Sequence, residues 1–238
     1  MRVGILGSGL MGGKLGTIFA RAGHEVVFTY ARSNEKLKKL AREAHGSARA
    51  GTPSEAAQEA DALLLAVHWS RIEDVLNQTG DLSGKVVVTC SLPMNDDNTD
   101  LVVAHISSGA EELARMIPKA RVVSAFNTVP SEVLFGVNQS KSKSRRLSLV
   151  YCGDDKGSKA VAAELIRDVG FDPMINARAV SATLKVMPRF HHELAERFAK
   201  FKLKLHPQKT FTSALRAFGL SLLPICALED IVRFRRDY

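Results

Sequence analysis

The sequence predicts a doubly wound parallel α/β sheet followed by a C-terminal helical appendage. Three observations predict it. Short apolar runs alternate with helix-spaced segments up to about residue 175. The runs are apolar at nearly every position, as in Ala-Leu-Leu-Leu-Ala-Val at 62–67, which suits strands buried on both faces. The first run leads straight into glycines and then into a helical pattern. A length of 238 residues fits one domain plus an appendage, since domains commonly run to about 100–200 residues.

The elements follow in order. Residues 2–6 form an apolar strand that ends at Gly7. Residues 10–22 have helical spacing, with Leu10, Met11, Leu15, Ile18, Phe19 and Ala22 on the apolar positions and Gly23 as the stop. Residues 25–29 form a second strand, and 33–45 a charged helix with Leu37 and Leu40 on one face. Residues 52–60 form a short helix, capped by Thr52 and opened by Pro53. Strands are predicted at 61–67, 85–90, 121–125, 146–152 and 171–175. Helices are predicted at 71–78, 107–116 and 156–169. Residues 138–146 read as a polar, basic, solvated loop. No internal repeat is present.

Composition narrows the classes. Hydrophobic residues are 45% and charged residues 24%, an ordinary globular balance. Lysine plus arginine is 33 against 25 acids, a formal net charge of +8, which raises the question of a nucleic-acid or membrane partner. Residues 1–177 carry 21 basic and 20 acidic side chains; residues 178–238 carry 12 and 5. The excess therefore belongs to the tail. Cys90, Cys152 and Cys226 form no C-x-x-C pair, which excludes a disulfide scaffold and a cysteine zinc site and fits the reducing cytoplasm. No apolar stretch is long enough to span a membrane. No leader is expected ahead of the first strand.

The strongest motif is Gly7-Ser8-Gly9-Leu10-Met11-Gly12, a G-x-G-x-x-G that follows a strand and opens a helix. Gly7 permits the tight turn, Gly9 lets a pyrophosphate approach the backbone, and Gly12 lets helix and strand pack closely. The helix start then holds the anion. This makes the sheet Rossmann-like. The second strand ends Phe28-Thr29-Tyr30-Ala31-Arg32-Ser33-Asn34-Glu35-Lys36, without the acid that would accept from an NAD ribose. Arg32, Ser33 and Lys36 instead suit a 2′-phosphate, so the reading is NADP(H). The plainer alternative, a solvated helix start capped by Ser33, holds better for Lys36 than for Arg32.

Ala66-Val67-His68-Trp69, Ser91-Leu92-Pro93 and Asn127-Thr128 end later strands, where the nicotinamide half belongs. Asn127 could orient a carboxamide or a ribose hydroxyl. His68 is read as a surface residue lining the site rather than as an acid or base, and Trp69 as a core cap. Cys90 and Cys152 are read as inert core thiols. No Ser/His/Asp, paired-carboxylate or metal-ligand set occurs at a sensible spacing, and no side chain is assigned a catalytic role. A cofactor that carries the chemistry needs none.

Taken together, the segments 4–12, 32–36, 65–69, 84–88, 121–129, Cys152-Gly153-Asp154-Asp155 and 170–173 resemble the NADPH-dependent F420 reductases (F420H2:NADP+ oxidoreductases). The cytosolic domain of STEAP-type metalloreductases is a related branch. The resemblance covers residues 1–175 and implies an NADP-binding domain over 1–177. It implies direct hydride transfer between the nicotinamide C4 and the C5 of a deazaflavin, coenzyme F420, with a flavin as the related acceptor. It implies homodimers, and phosphate contacts from Ser8, Arg32 and Lys36. Ala31 replaces a serine common in the family, which implies that one phosphate contact is lost or shifted to Ser33.

The tail departs from the family. Ile175-Asn176-Ala177-Arg178 lacks the expected Gly-Pro turn, and residues 193–210 look like a fragment of a group II intron reverse transcriptase without its catalytic carboxylates. Residues 178–238 are therefore a helical tail of unassigned role, and Pro224 interrupts an apolar helical pattern. His191 and His192 are adjacent and diverge on a helix. Three alternatives remain open: an NADP(H)-binding module without turnover, a reductase of another small substrate such as an imine, and a nucleic-acid binder through the tail. The last ranks lowest, because the tail has no reading motif and no basic run beyond 233–236.

Overall fold

The structure is a computed structural model that describes residues 1–103, 107–140 and 146–175. The expectations for 178–238, for Cys226 and for most of the basic loop lie outside the described residues. Eight strands form one sheet in the order β3-β2-β1-β4-β5-β6-β7-β8. They are β1 (Arg2–Leu6), β2 (Glu25–Thr29), β3 (Ala48–Ala50), β4 (Ala62–Leu65), β5 (Val86–Thr89), β6 (Arg121–Ser124), β7 (Ser148–Gly153) and β8 (Asp172–Ile175). The helices are α1 (Leu10–Arg21), α2 (Asn34–Glu43), α3 (Pro53–Glu59), α4 (Ile72–Thr79), α5 (Gly109–Met116), α6 (Leu134–Gln139) and α7 (Lys156–Val169).

Side-chain alternation sorts the core onto two faces. Val3, Ile5, Leu64 and Val88 point to one face and pack with Leu15, Ile18 and Phe19 of α1 and with Ala162, Leu165 and Ile166 of α7. Leu6, Leu63, Leu65 and Val87 point to the other and pack with Ala56, Ala57, Ile72, Val75 and Leu113. β4 is buried at all four positions, as expected of a strand covered on both sides. Thr52 and Glu55 complete a reciprocal capping box around Pro53 at the start of α3.

Two features depart from the expected pattern. β7 runs antiparallel to β6, through Val123–Gly153 and Ser124–Cys152, so the sheet is mostly rather than wholly parallel. Apolar strands look alike in either direction, and only the route of residues 126–147 decides it. β3 and α6 also lacked a usable signal. β3 is three residues long, with Ala48 and Ala50 half-buried on either side of exposed Arg49.

Because β2 and β4 flank β1, the strand order reverses at β1. A ligand crevice therefore opens at the carboxyl ends of these strands, where the glycine turn leaves β1.

Candidate functional site: a dinucleotide crevice

The turn from β1 into α1 is built for close approach. Gly7 has φ +110°, and a Cβ there would lie 2.5 Å from Val67 Cγ1 and 2.6 Å from the Ala66 carbonyl oxygen. A Cβ on Gly12 would lie 2.0 Å from the Gly7 carbonyl oxygen. Gly9 is different. A Cβ there meets nothing within 4 Å among the described residues, and its backbone is extended, at φ −79° and ψ −150°. The protein's own packing gives no reason for glycine at Gly9; a ligand lying against the backbone does.

No side chain caps α1, and its first turn holds no acid. Its leading N–H groups are thus left for an anion. Leu10 is 71% exposed beside them, and Met11 packs inward on the first core face. Ser8 requires a correction to what the resemblance implies. It is fully buried; its hydroxyl donates to the Thr29 carbonyl at 2.8 Å, and its N–H donates to the Tyr30 carbonyl at 3.1 Å. Ser8 fastens the glycine turn to the end of β2, and neither donor is directed at a phosphate.

The end of β2 carries the positive charge. Arg32, Ser33 and Lys36 are all exposed. Ser33 caps α2 by accepting from the Lys36 N–H, as the plainer alternative for this helix start has it. The side chains of Arg32 and Lys36 make no ion pair or hydrogen bond among the described residues, whereas Arg2, Lys38, Arg49 and Arg115 are each paired with a carboxylate. Glu35, the acid in the same turn, is paired with Lys38 at 3.2 Å. Sequence spacing did not reveal Arg71, which precedes α4 and brings a further exposed cation near Tyr30. Only the strand order shows that the end of β2 and the start of α4 share a crevice.

Tyr30 bridges these two walls. Its hydroxyl donates to Asp74 of α4. Burial, then the bond to Asp74, pushes the phenol up to about 12.

The other half of the crevice is formed by the ends of β4, β5 and β6. Ala66, Val67 and His68 follow β4, Leu92 and Pro93 follow β5, and Asn127 and Thr128 follow β6. Ser91 joins two of these ends by donating to the Val67 carbonyl at 2.7 Å. Asn127 is oriented by its amide nitrogen, which donates to Ser124 Oγ at 3.1 Å; exposed Thr128 follows it. Phe126, fully buried, turns the chain there at φ +62°. The His68 ring is held by Ser70 at 3.1 Å and Asn98 at 3.2 Å. Trp69 packs against the second core face, as a cap. Burial pushes both the Cys90 and Cys152 thiols up to about 12, so neither offers a thiolate at neutral pH.

One further cluster was not visible from spacing. His24, Glu164 and Asp168 bring ligand atoms within 4.8 Å of one another, away from this crevice. His24 Nε2 lies 2.9 Å from Asp168 and Nδ1 lies 3.2 Å from the amine of Met1, so the ring ties the start of β2 to α7.

Residues 2–93 match the model of the family described as NADP oxidoreductase, coenzyme F420-dependent. Over these residues the chain is similar to that NADP oxidoreductase family. An F420-dependent NADP reductase of Methanocaldococcus jannaschii is 27% identical over 120 residues, 48% of this chain and 52% of that protein. The metalloreductase STEAP3 of Rattus norvegicus is 28% identical over 193 residues, 79% of this chain and 37% of that protein. The chain thus spans about half, or less, of the length of these curated relatives. A solved structure of a hypothetical protein from Sinorhizobium meliloti has a TM-score of 0.66 at 27% identity, covering 78% of this chain and 89% of that one. The glycine turn, the uncapped start of α1 and the cations after β2 all fall within the matched residues. Among the described residues no helix is long and apolar enough to cross a membrane.

Proposed function

We propose that this chain is an NADP oxidoreductase that transfers a hydride between NADPH and a deazaflavin of the F420 kind. The observation that carries the NADP(H) side is the pair Arg32 and Lys36, without a partner among the described residues, just beyond a β2 whose C-terminal end carries no acid. A 2′-phosphate gives both cations the charge-assisted partner they lack. The α1 start takes the pyrophosphate, and Leu92, Pro93, Asn127 and Thr128 border the nicotinamide. When bound, the nicotinamide supplies the hydride from C4, and the acceptor ring takes it together with a proton from solvent. The residues need only position two rings and exclude water, consistent with the inert thiols and the tethered His68.

The deazaflavin assignment is supported by the family model over residues 2–93. A second reading, a flavin acceptor that passes electrons to ferric iron, is favoured by the longer alignment to the metalloreductase, 193 residues against 120. Either activity is proposed to operate in a homodimer. Stopped-flow oxidation of NADPH against deazaflavin, flavin, flavin with ferric citrate, and a cyclic imine separates these readings. Deazaflavin is expected to give the fastest turnover. Turnover only with flavin and ferric citrate would favour the second reading, and NADPH binding with no turnover would reduce the chain to a binding module.

A further inference from the structure

We infer that Tyr30 is the platform on which the adenine of the dinucleotide rests, and that Asp74 holds that platform in place. The inference rests on the NADP(H) reading above, and it concerns a residue outside both the glycine motif and the cation cluster.

Position is the first argument. Tyr30 lies immediately after β2 and two residues before Arg32. The adenosine ribose belongs at this strand end, and the base is one glycosidic bond from that ribose. The side chain reaches across the crevice, because its hydroxyl donates to Asp74 on α4, which follows β4 on the other side of β1. The ring is half-buried, packed against the apolar side chains of the second core face. The rest of its surface is accessible. Flat, half-exposed aromatic rings are the usual surfaces on which nucleobases stack.

Backbone strain is the second, independent argument. Tyr30 has φ +53°, in the left-handed region. A bulky side chain is uncommon there, and glycine would be relaxed. Such outliers persist where the surroundings impose them and cluster at ligand sites. The bond to Asp74 accounts for the hydroxyl of Tyr30. A stacked base accounts for the ring. Asp74 is itself oriented, since its second oxygen accepts from Gln78 at 3.3 Å. The ring is thus fixed before any ligand arrives, which lowers the ordering cost of binding.

The test uses the full chain and three probes: NADPH, adenosine 2′,5′-bisphosphate (the adenosine half) and reduced nicotinamide mononucleotide. Isothermal titration is run on the wild type, Tyr30→Phe, Tyr30→Gly and Tyr30→Leu, with a thermal melt of each. Glycine tolerates φ +53°, so Tyr30→Gly removes the ring without a backbone obstacle; if it nonetheless fails to fold, Tyr30→Leu supplies the readout. Tyr30→Gly and Tyr30→Leu are expected to weaken NADPH and the adenosine bisphosphate by roughly tenfold, the scale of one lost base–aromatic stack. The mononucleotide should not respond. Tyr30→Phe keeps the ring and is expected to stay within about threefold of wild type. Wild-type affinity for the adenosine bisphosphate in both non-aromatic variants would overturn the platform alone. A wild type that binds neither NADPH nor the adenosine bisphosphate would overturn the NADP(H) reading and the platform with it.

Discussion

Gly9 and Gly12 belong to one motif, yet the structure separates their roles, and substitution by alanine should do the same. A Cβ on Gly12 would sit 2.0 Å from the Gly7 carbonyl oxygen, and 3.0 and 3.1 Å from Ile5 Cγ2 and Ala66 Cβ. Ordinary heavy-atom contact is about 3.5–4.0 Å, so α1 must retreat from β1 by more than an ångström. Overpacking of this kind costs ~1–3 kcal/mol. A clash with backbone rather than a flexible side-chain tip puts Gly12→Ala at the upper end. The better helix propensity of alanine offsets about 1 kcal/mol, leaving roughly 2 kcal/mol. At about 2–4 °C per kcal/mol for a chain of this size, Tm should fall by roughly 4–8 °C. On Gly9 the same Cβ meets nothing within 4 Å. Gly9→Ala should therefore stay within about 0.5 kcal/mol of wild type, yet weaken NADPH by an order of magnitude or more, because the methyl occupies the approach to the α1 N–H groups. Thermal melts and NADPH titrations on the two variants check this. A larger Tm loss for Gly9→Ala than for Gly12→Ala, or unchanged NADPH affinity in Gly9→Ala, would refute the steric reasoning.

Two further outcomes follow from the site and its scaffold. His68→Ala should lower kcat for hydride transfer by less than about tenfold, below the usual range for a lost general acid or base; a loss of a thousandfold would give His68 a role in proton transfer. Asp155 caps α7, its Oδ1 accepting from the Ser158 N–H at 2.6 Å and the Ser158 hydroxyl at 2.5 Å, and these bonds hold its carboxyl below the usual carboxylate range. A lowered folded-state value stabilises above the unfolded value of about 3.9 and is lost as pH falls through the folded one. The Tm gap between wild type and Asp155→Ala should thus be widest near neutrality and close below pH ~4, as melts along a pH series would show.

Much of this fold was legible because local and global signals agree. The apolar runs that became β1, β2, β4 and β5 are each buried to within a residue or two of their ends, and Thr52-Pro53 capped α3 as its chemistry dictates. The glycine turn was legible for the same reason: strand, glycines and helix occur in one contiguous stretch. What escaped depends on contacts between distant segments. The direction of β7 follows from a long connection, not from its own residues. Ser8 has the composition of a phosphate ligand, and only its burial against Thr29 and Tyr30 shows otherwise. Arg71 and Asp74 lie some 40 residues beyond Arg32 and Tyr30 in sequence, and they join the same crevice only through the β2-β1-β4 order. His24, Glu164 and Asp168 meet across more than 140 residues, a separation that no spacing rule reads.

The central claim is that Arg32 and Lys36 select a 2′-phosphate. It is tested most directly by the ratio of the Kd values for NADH and NADPH, measured at one fixed ionic strength for the wild type and Arg32→Ala. A hydrogen bond to a charged group contributes ~1.5–3 kcal/mol, so wild type should favour NADPH by at least about tenfold, since 1.4 kcal/mol is a factor of ten. Arg32→Ala should remove most of that preference by weakening NADPH and leaving NADH unchanged. Equal affinity for the two cofactors in the wild type, or equal weakening of both in Arg32→Ala, would contradict the account.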